Sequence, residues 1–223
     1  MNVMVLGATG LTGHLVVQQL LAREAISKVV VPVRKPMSLE HPKLDQHVVD
    51  FDDLTAHADI FAVDALICCL GTTIKKAGSQ DNFRKVDYGN ALAAAKLARE
   101  RGVNSLILMS AIGASSSSTI FYNRVKGELE DAVRELDFPY LSIYHPSLLL
   151  GDRQEHRGGE ELGQMAMPLV NRVLIGPLDK YRAIKAETVA EAMVNEVCGI
   201  SSAEPAERVV QIREYPDIVA LAG

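Results

Sequence analysis

Residues 3–21, VMVLGATGLTGHLVVQQLL, carry the reading that decides the fold. An apolar run gives way to Gly7, Gly10 and Gly13 and then to an amphipathic pattern, which predicts a strand, a glycine turn and a helix. Gly7 would allow the tight turn, Gly10 the close approach of backbone to a phosphate, and Gly13 close packing of helix on strand. Such a turn leaves N–H groups free at the positive end of a helix, so Thr9, Gly10, Leu11, Thr12 and Gly13 could cradle phosphate without a basic side chain. Three glycines alone would signal little. Their place at the first strand-to-helix turn, with a second strand pattern behind them, sets them apart from a merely structural turn.

Outward from that loop, β-branched runs alternate with helical patterns: KVVVPVR, HVVDF, DALICCLG, SLILMSA and YLSIYHPS, with YGNALAAAKLARERG and YNRVKGELEDAVRELD between the later ones. Short apolar strands with intervening helices predict an α/β fold, a doubly wound parallel sheet covered on both faces. After Gly151 the rhythm changes to DRQEHRGGEELGQ and MAMPLVNRVLIG, followed by a helix pattern at ETVAEAMVNEV and a last strand at ERVVQIR. Ligands of such sheets sit outside the carboxyl ends of the strands, so residues 151–223 are expected to form a small substrate-covering region of a single domain spanning 1–223. Ser115 to Ser118 read as a flexible loop beside the site.

The 223 residues are 48% hydrophobic, enough for one good core, and carry a net charge of −5. That balance, with no basic run longer than Lys75 and Lys76, argues against nucleic acid or an anionic membrane surface as partner. No window is apolar enough to span a bilayer, and the opening MNVMVLGATG shows no basic leader, so the expectation is a cytoplasmic protein without membrane insertion. Cys68 and Cys69 lie inside an apolar run and read as buried small hydrophobes, and the histidines lack ligand spacing, so no metal is expected.

A dinucleotide loop for NAD usually has an acidic residue at the end of the second strand to take the ribose hydroxyls. This chain has Arg34 and Lys35 there, which favours a 2′-phosphate and hence NADP(H), unless Arg34 is merely a surface residue at a strand end. Asp50, ending the third strand, would accept from the adenine amino group with Phe51 as backbone donor, or would cap the following helix. Leu70, Gly71 and Thr72, after the fourth strand, would offer backbone and hydroxyl groups to the cofactor.

Tyr122 stands four residues before Lys126 where Val125, Leu129, Ala132 and Val133 recur at helical spacing, so the two share a face. An ammonium about 4 to 5 Å from a phenol favours the phenolate by roughly 3 to 4 kcal/mol at an effective dielectric near 20. That would make the tyrosine fit for acid–base work near neutrality. An aromatic anchor beside a solvated lysine is the plainer alternative.

Together GATGLTG, VDFDDL, CCLGTT, the serine after LILM and YNRVK resemble the short-chain dehydrogenase/reductase superfamily. VVDFDDL, CCLGTTIKKAG, VKGELE and LLLGDRQEHRGGE are more specifically similar to an atypical branch, the Tat-interacting-protein family of NADP(H)-binding oxidoreductases. The resemblance implies a Rossmann-type sheet, with Tyr122 as general acid or base and Lys126 bound to the nicotinamide ribose hydroxyls. It makes Ser110 the candidate to orient a substrate carbonyl. Relatives commonly carry two serines there, the second often doing this work, whereas this chain reads Ser110 and then Ala111, with Ser115 to Ser118 as substitutes. Asp87 stands where many relatives have asparagine, with Asn90 a turn further on. His145, Pro146 and Ser147 replace a frequent Arg-Pro-Gly; Pro146 would turn the backbone near Leu148 toward the nicotinamide carboxamide, and His145 reads as a core residue or a second acid–base group. Arg153 would bind an anion or pair with Asp152 or Glu155. The implied activity is reduction of a small carbonyl compound by a monomer or homodimer. The competing expectation is a redox sensor that binds NADP(H) with little or no turnover; a nucleotide-sugar epimerase is disfavoured by the short C-terminal region.

Overall fold

The computed structural model of this chain describes residues 1–151, 174, 176–200 and 207–223. Seven strands form one sheet: β1 (Asn2–Leu6), β2 (Lys28–Val33), β3 (Leu44–Val48), β4 (Ala65–Cys68), β5 (Ser105–Met109), β6 (Tyr140–Tyr144) and, after a two-stranded pair, β9 (Val209–Arg213). The order is β3-β2-β1-β4-β5-β6-β9, and every neighbouring pair is parallel. The separate pair is β7 (Leu149–Leu150) with β8 (Ile184–Lys185).

Successive strand residues feed opposite faces, as a parallel sheet buried on both sides requires. Val3 and Val5 pack with α1 (Leu11–Leu21), and Met4 and Leu6 belong to the core on the other face. That second face is covered by α4 (Ala91–Glu100) and α5 (Phe121–Arg134). α6 (Ala186–Gly199) and α7 (Tyr215–Ala222) join α1 on the first face, so much of the described chain beyond Gly151 builds the sheet and its cover. The DRQEHRGGEELGQ segment, with Arg153, lies outside the described residues.

The sheet grows outward in opposite directions from β1 and β4, and the glycine loop opens at that switch point, where such sheets bind ligands. The third strand begins and ends earlier than its apolar run suggests: β3 stops at Val48, one further bond joins Val49 N–H to the Val33 carbonyl at 2.9 Å, and Asp50 falls in the turn beyond. Between β4 and α4 lie two short helices, α2 (Ile74–Ala77) and α3 (Gln80–Arg84), then a π-helix over Lys85–Asn90.

On the first face Glu196 of α6 is buried against β6 and β9. Its carboxylate accepts from Tyr140 Oη at 2.9 Å, Ser142 Oγ at 3.0 Å and Arg213 Nε at 2.9 Å, so the charge is fully partnered.

Candidate functional site

The loop from β1 to α1 is pressed onto the end of β4. Gly7 has φ +79°, and a Cβ there would lie 2.5 Å from the Cys69 carbonyl oxygen, so both conformation and space demand glycine. A Cβ at Gly13 would lie 2.2 Å from the Gly7 oxygen, in keeping with close packing of helix on strand. Gly10 differs: its Cβ would meet only the Gly7 oxygen, at 3.2 Å, so the protein itself hardly requires the missing side chain. No side chain caps α1, and in its first turn Thr12 is buried with an Oγ1 that has no hydrogen-bond partner. An uncapped helix start with an orphaned hydroxyl is a site a phosphate would complete.

A cleft of about 450 Å³ opens beside this loop's sheet end. It brings together five residues singled out from sequence, Arg34, Asp50, Phe51, Thr72 and Asn90, and adds Lys76 and Lys85. Lys35 is exposed and outside the lining. Asp50 Oδ1 accepts the Asp52 N–H at 2.9 Å, while the cap of the following 3₁₀ helix is Asp53, not Asp50. Lys85 Nζ pairs with Asp52 Oδ2 at 2.7 Å, both exposed.

Tyr122 and Lys126 share a face of α5, as their spacing predicts, but their surroundings were not legible. The Tyr122 ring packs on Phe83, with centroids 5.5 Å apart, and its hydroxyl makes no hydrogen bond among the described residues. Lys126 is buried, and its Nζ lies 2.9 Å from Asp87 Oδ1. The ammonium is therefore not a lone charge beside a phenol, because a carboxylate balances it. Burial raises the Asp87 carboxyl against the pull of Lys126; burial alone would lower the Lys126 ammonium, but the Asp87 charge carries it above the usual lysine range. Gly71 lies close beside both partners: a Cβ there would sit 3.4 Å from Asp87 Oδ1 and 3.7 Å from Lys126 Nζ. At the next position of α5, a Cβ on Gly127 would fall 2.1 Å from the Ser115 carbonyl carbon. A mid-helix glycine costs about 1 kcal/mol relative to alanine, and here it lets the serine loop lie directly on the helix.

Ser110 is buried, and its hydroxyl donates to Glu130 of α5, whose Oε1 also meets His145 Nε2 at 2.8 Å. One hydroxyl has one proton to donate, so Ser110 orients a substrate carbonyl only by giving up Glu130. His145 is mostly enclosed in this cluster. Glu130 was missed in the sequence, where it reads as one more solvated charge of α5; its only signal is the four-residue step from Lys126. Pro146 is buried, and the Leu148 carbonyl accepts from Ile184 N–H at 3.0 Å while its side chain is exposed. Among the described residues no cluster of His, Cys, Asp or Glu could hold a metal, and no helix is long and apolar enough to cross a membrane.

The model of an NAD(P)H-binding family matches residues 7–197. Rat Protein HTATIP2 is 38% identical over 211 residues, covering 91% of this chain and 84% of the relative. The chain belongs to the HTATIP2-like atypical short-chain dehydrogenase/reductases.

Protein FMP52, mitochondrial, of Meyerozyma guilliermondii is 35% identical to this HTATIP2-like chain over 211 residues, covering 92% of it and 89% of the relative. Among solved structures, UDP-glucose 4-epimerase of Thermotoga maritima with UDP-glucose matches at TM-score 0.69 and 15% identity, covering 96% of this chain and 77% of its own. WbmH of Bordetella bronchiseptica in complex with NAD+ matches at 0.69 and 14%, covering 96% and 75%. At these identities the likeness is one of fold, and it confirms the Rossmann-type sheet. The uncapped start of α1, the orphaned Thr12 hydroxyl and the cleft at Arg34 fit an NAD(P)(H) dinucleotide.

Proposed function

We propose that this HTATIP2-like protein is an NADPH-dependent reductase of a small carbonyl compound. One chain of contacts carries the reading: Gly7 lies against Cys69 and Leu70, and the next residue, Gly71, lies against Lys126, so the phosphate loop and the lysine of α5 meet at the end of β4. The dinucleotide would supply the hydride. Thr9, Gly10, Leu11, Thr12 and Gly13 would hold its pyrophosphate, Leu70, Gly71 and Thr72 its central part, and Pro146 and Leu148 would flank the nicotinamide. Arg34, with Lys35 beside it, would grip the 2′-phosphate, while Asp50 and Phe51 would meet the adenine. Lys126 would bind the nicotinamide ribose hydroxyls. Tyr122 would give its proton to the carbonyl oxygen as the carbon is reduced, and would recover it from solvent. Ser110 would assist only when its proton turns from Glu130 to substrate. Within a single domain, 151–223 would contribute to the substrate side as well as to the sheet and its cover, and the protein would work in the cytoplasm as a monomer or homodimer.

Calorimetric titration with NADPH and NADH, followed by a panel of aldehydes, ketones and quinones with the preferred cofactor, tests the reading. NADPH is expected to bind more tightly and to be oxidised by members of the panel. Equal affinities would overturn the cofactor preference. Tight binding without oxidation of NADPH across the panel would replace the enzyme by the sensor.

A further inference from the structure

Among the ion pairs of the described residues, Lys126 and Asp87 are the most deeply enclosed, with side chains 4% and 1% exposed. A pair of this kind is poor cement: taking two charges out of water offsets most of their attraction, and apolar residues of similar volume hold a core as well. What the pair does have is fixed geometry. Asp87 Oδ2 accepts the Thr72 N–H at 2.8 Å, while Oδ1, which has no hydrogen-bond partner, is held 2.9 Å from Lys126 Nζ as an ion pair, close beside Gly71. Asp87 is delivered by the π-helix of Lys85–Asn90, a wide turn of the sort that recurs at functional sites.

The other titratable groups that act on the ammonium are the Tyr122 phenol and the thiols of Cys68 and Cys69. Burial pushes the Cys68 thiol up to about 11 and the Cys69 thiol higher still, so both are neutral at physiological pH. That leaves the Asp87 carboxylate as the charge that offsets the desolvation of Lys126.

We propose that Asp87 is a positioning residue, which keeps Lys126 charged and fixed against the Gly71–Thr72 backbone so that the lysine meets the cofactor ribose already in place. The proposal rests on the reading of Lys126 as a cofactor contact. Its consequence is specific. With asparagine at position 87, burial acts on Lys126 unopposed and the amine loses its proton at a lower pH.

Isotope-labelled lysine reports this without cofactor, the Cε resonance of Lys126 being assigned by its loss in Lys126→Met. In the ligand-free wild type that resonance should stay constant from about pH 6 to pH 10, and in Asp87→Asn it should titrate inside that window. In step with it, the Kd for NADPH should rise by about tenfold or more between pH 6 and pH 9 in Asp87→Asn, but by less than about twofold in the wild type. A Lys126 resonance in Asp87→Asn that titrates as in the wild type overturns the proposal. Failure of the wild type to bind NADPH would instead strike the functional reading and leave this first titration intact. If Asp87→Asn is too unstable to titrate, the double variant Asp87→Asn with Lys126→Met should recover much of the lost Tm, because it removes both members of the pair. A double variant no more stable than Asp87→Asn means that Asp87 does not act through Lys126.

Discussion

At the Arg34 end of the site the charged side chains stand in solvent, whereas at the Lys126 end they are shut away from it. Arg34, Lys76 and Lys85 line an open cleft, and the ion pair of Lys85 with Asp52 on its rim is exposed on both sides. Lys126, Asp87 and Glu130 are buried, each already partnered within the protein. Exposed charges keep their hydration until a ligand arrives, so they choose among ligands at small cost to the fold. Buried charges must be paired as the chain folds, so they fix geometry before any ligand is present. One end should therefore govern which cofactor binds and the other what is done with it.

The sharpest way to break that division is Tyr122→Phe. It keeps the ring on Phe83 and removes the hydroxyl, so turnover should fall roughly 10²- to 10⁴-fold while NADPH affinity persists. Steady-state rates and cofactor titration on one preparation decide it, and full activity would remove the proposed proton donor. Next comes a contrast inside the glycine loop. Gly13→Ala places a carbon 2.2 Å from the Gly7 oxygen and should cost about 3 kcal/mol of stability in a denaturant titration. Gly10→Val, with only the 3.2 Å contact to yield, should fold and yet bind NADPH poorly, since its side chain would occupy the phosphate approach.

Smaller again is Arg34→Ala, expected to weaken NADPH by about 10- to 100-fold, or roughly 1.5 to 3 kcal/mol, with little change for NADH or for Tm. A loss of both cofactors together would mean that Arg34 holds the loop and does not read the phosphate. The smallest effect should be that of Lys85→Ala on stability. Its exposed pair with Asp52 is worth about 0.5 kcal/mol or less, so Tm should barely move.

The sheet and the phosphate loop were legible because both rest on local pattern: apolar runs set the strands, and the spacing of Gly7, Gly10 and Gly13 encodes contacts within a few residues. β3 was read late because Leu44, Asp45 and Gln46 join the sheet through backbone pairing to β2, which leaves no apolar signature. The helices α2 and α3 are too short to show a period. α7 did carry a signature, Glu214 and Asp217 in a reciprocal cap, but it follows a strand so closely that the cap was overlooked. At the site, spacing put Tyr122 and Lys126 together and stopped there. The partner of Lys126 arrives from another element, Asp87 on a turn that departs from helical period, and the cluster beside Ser110 needs His145 from beyond β6 to meet Glu130. No spacing rule links residues so far apart in the chain.

The position of β9 bears on how the molecule comes into being. Of the strands in the sheet it is the last in the chain, yet it pairs with β6 and brings Arg213 to the buried carboxylate of Glu196. During synthesis β1 to β6 and α6 emerge first. Until β9 follows, the edge of β6 is bare and Glu196 has Tyr140 and Ser142 but no cation. A parallel edge in that state is prone to pair with the wrong strand. The rest of the sheet, phosphate loop included, thus waits, sticky on one side, for a strand in which Val210 and Ile212 still face solvent after docking. Nascent chains stalled before Val209 should be the ones that chaperones hold longest.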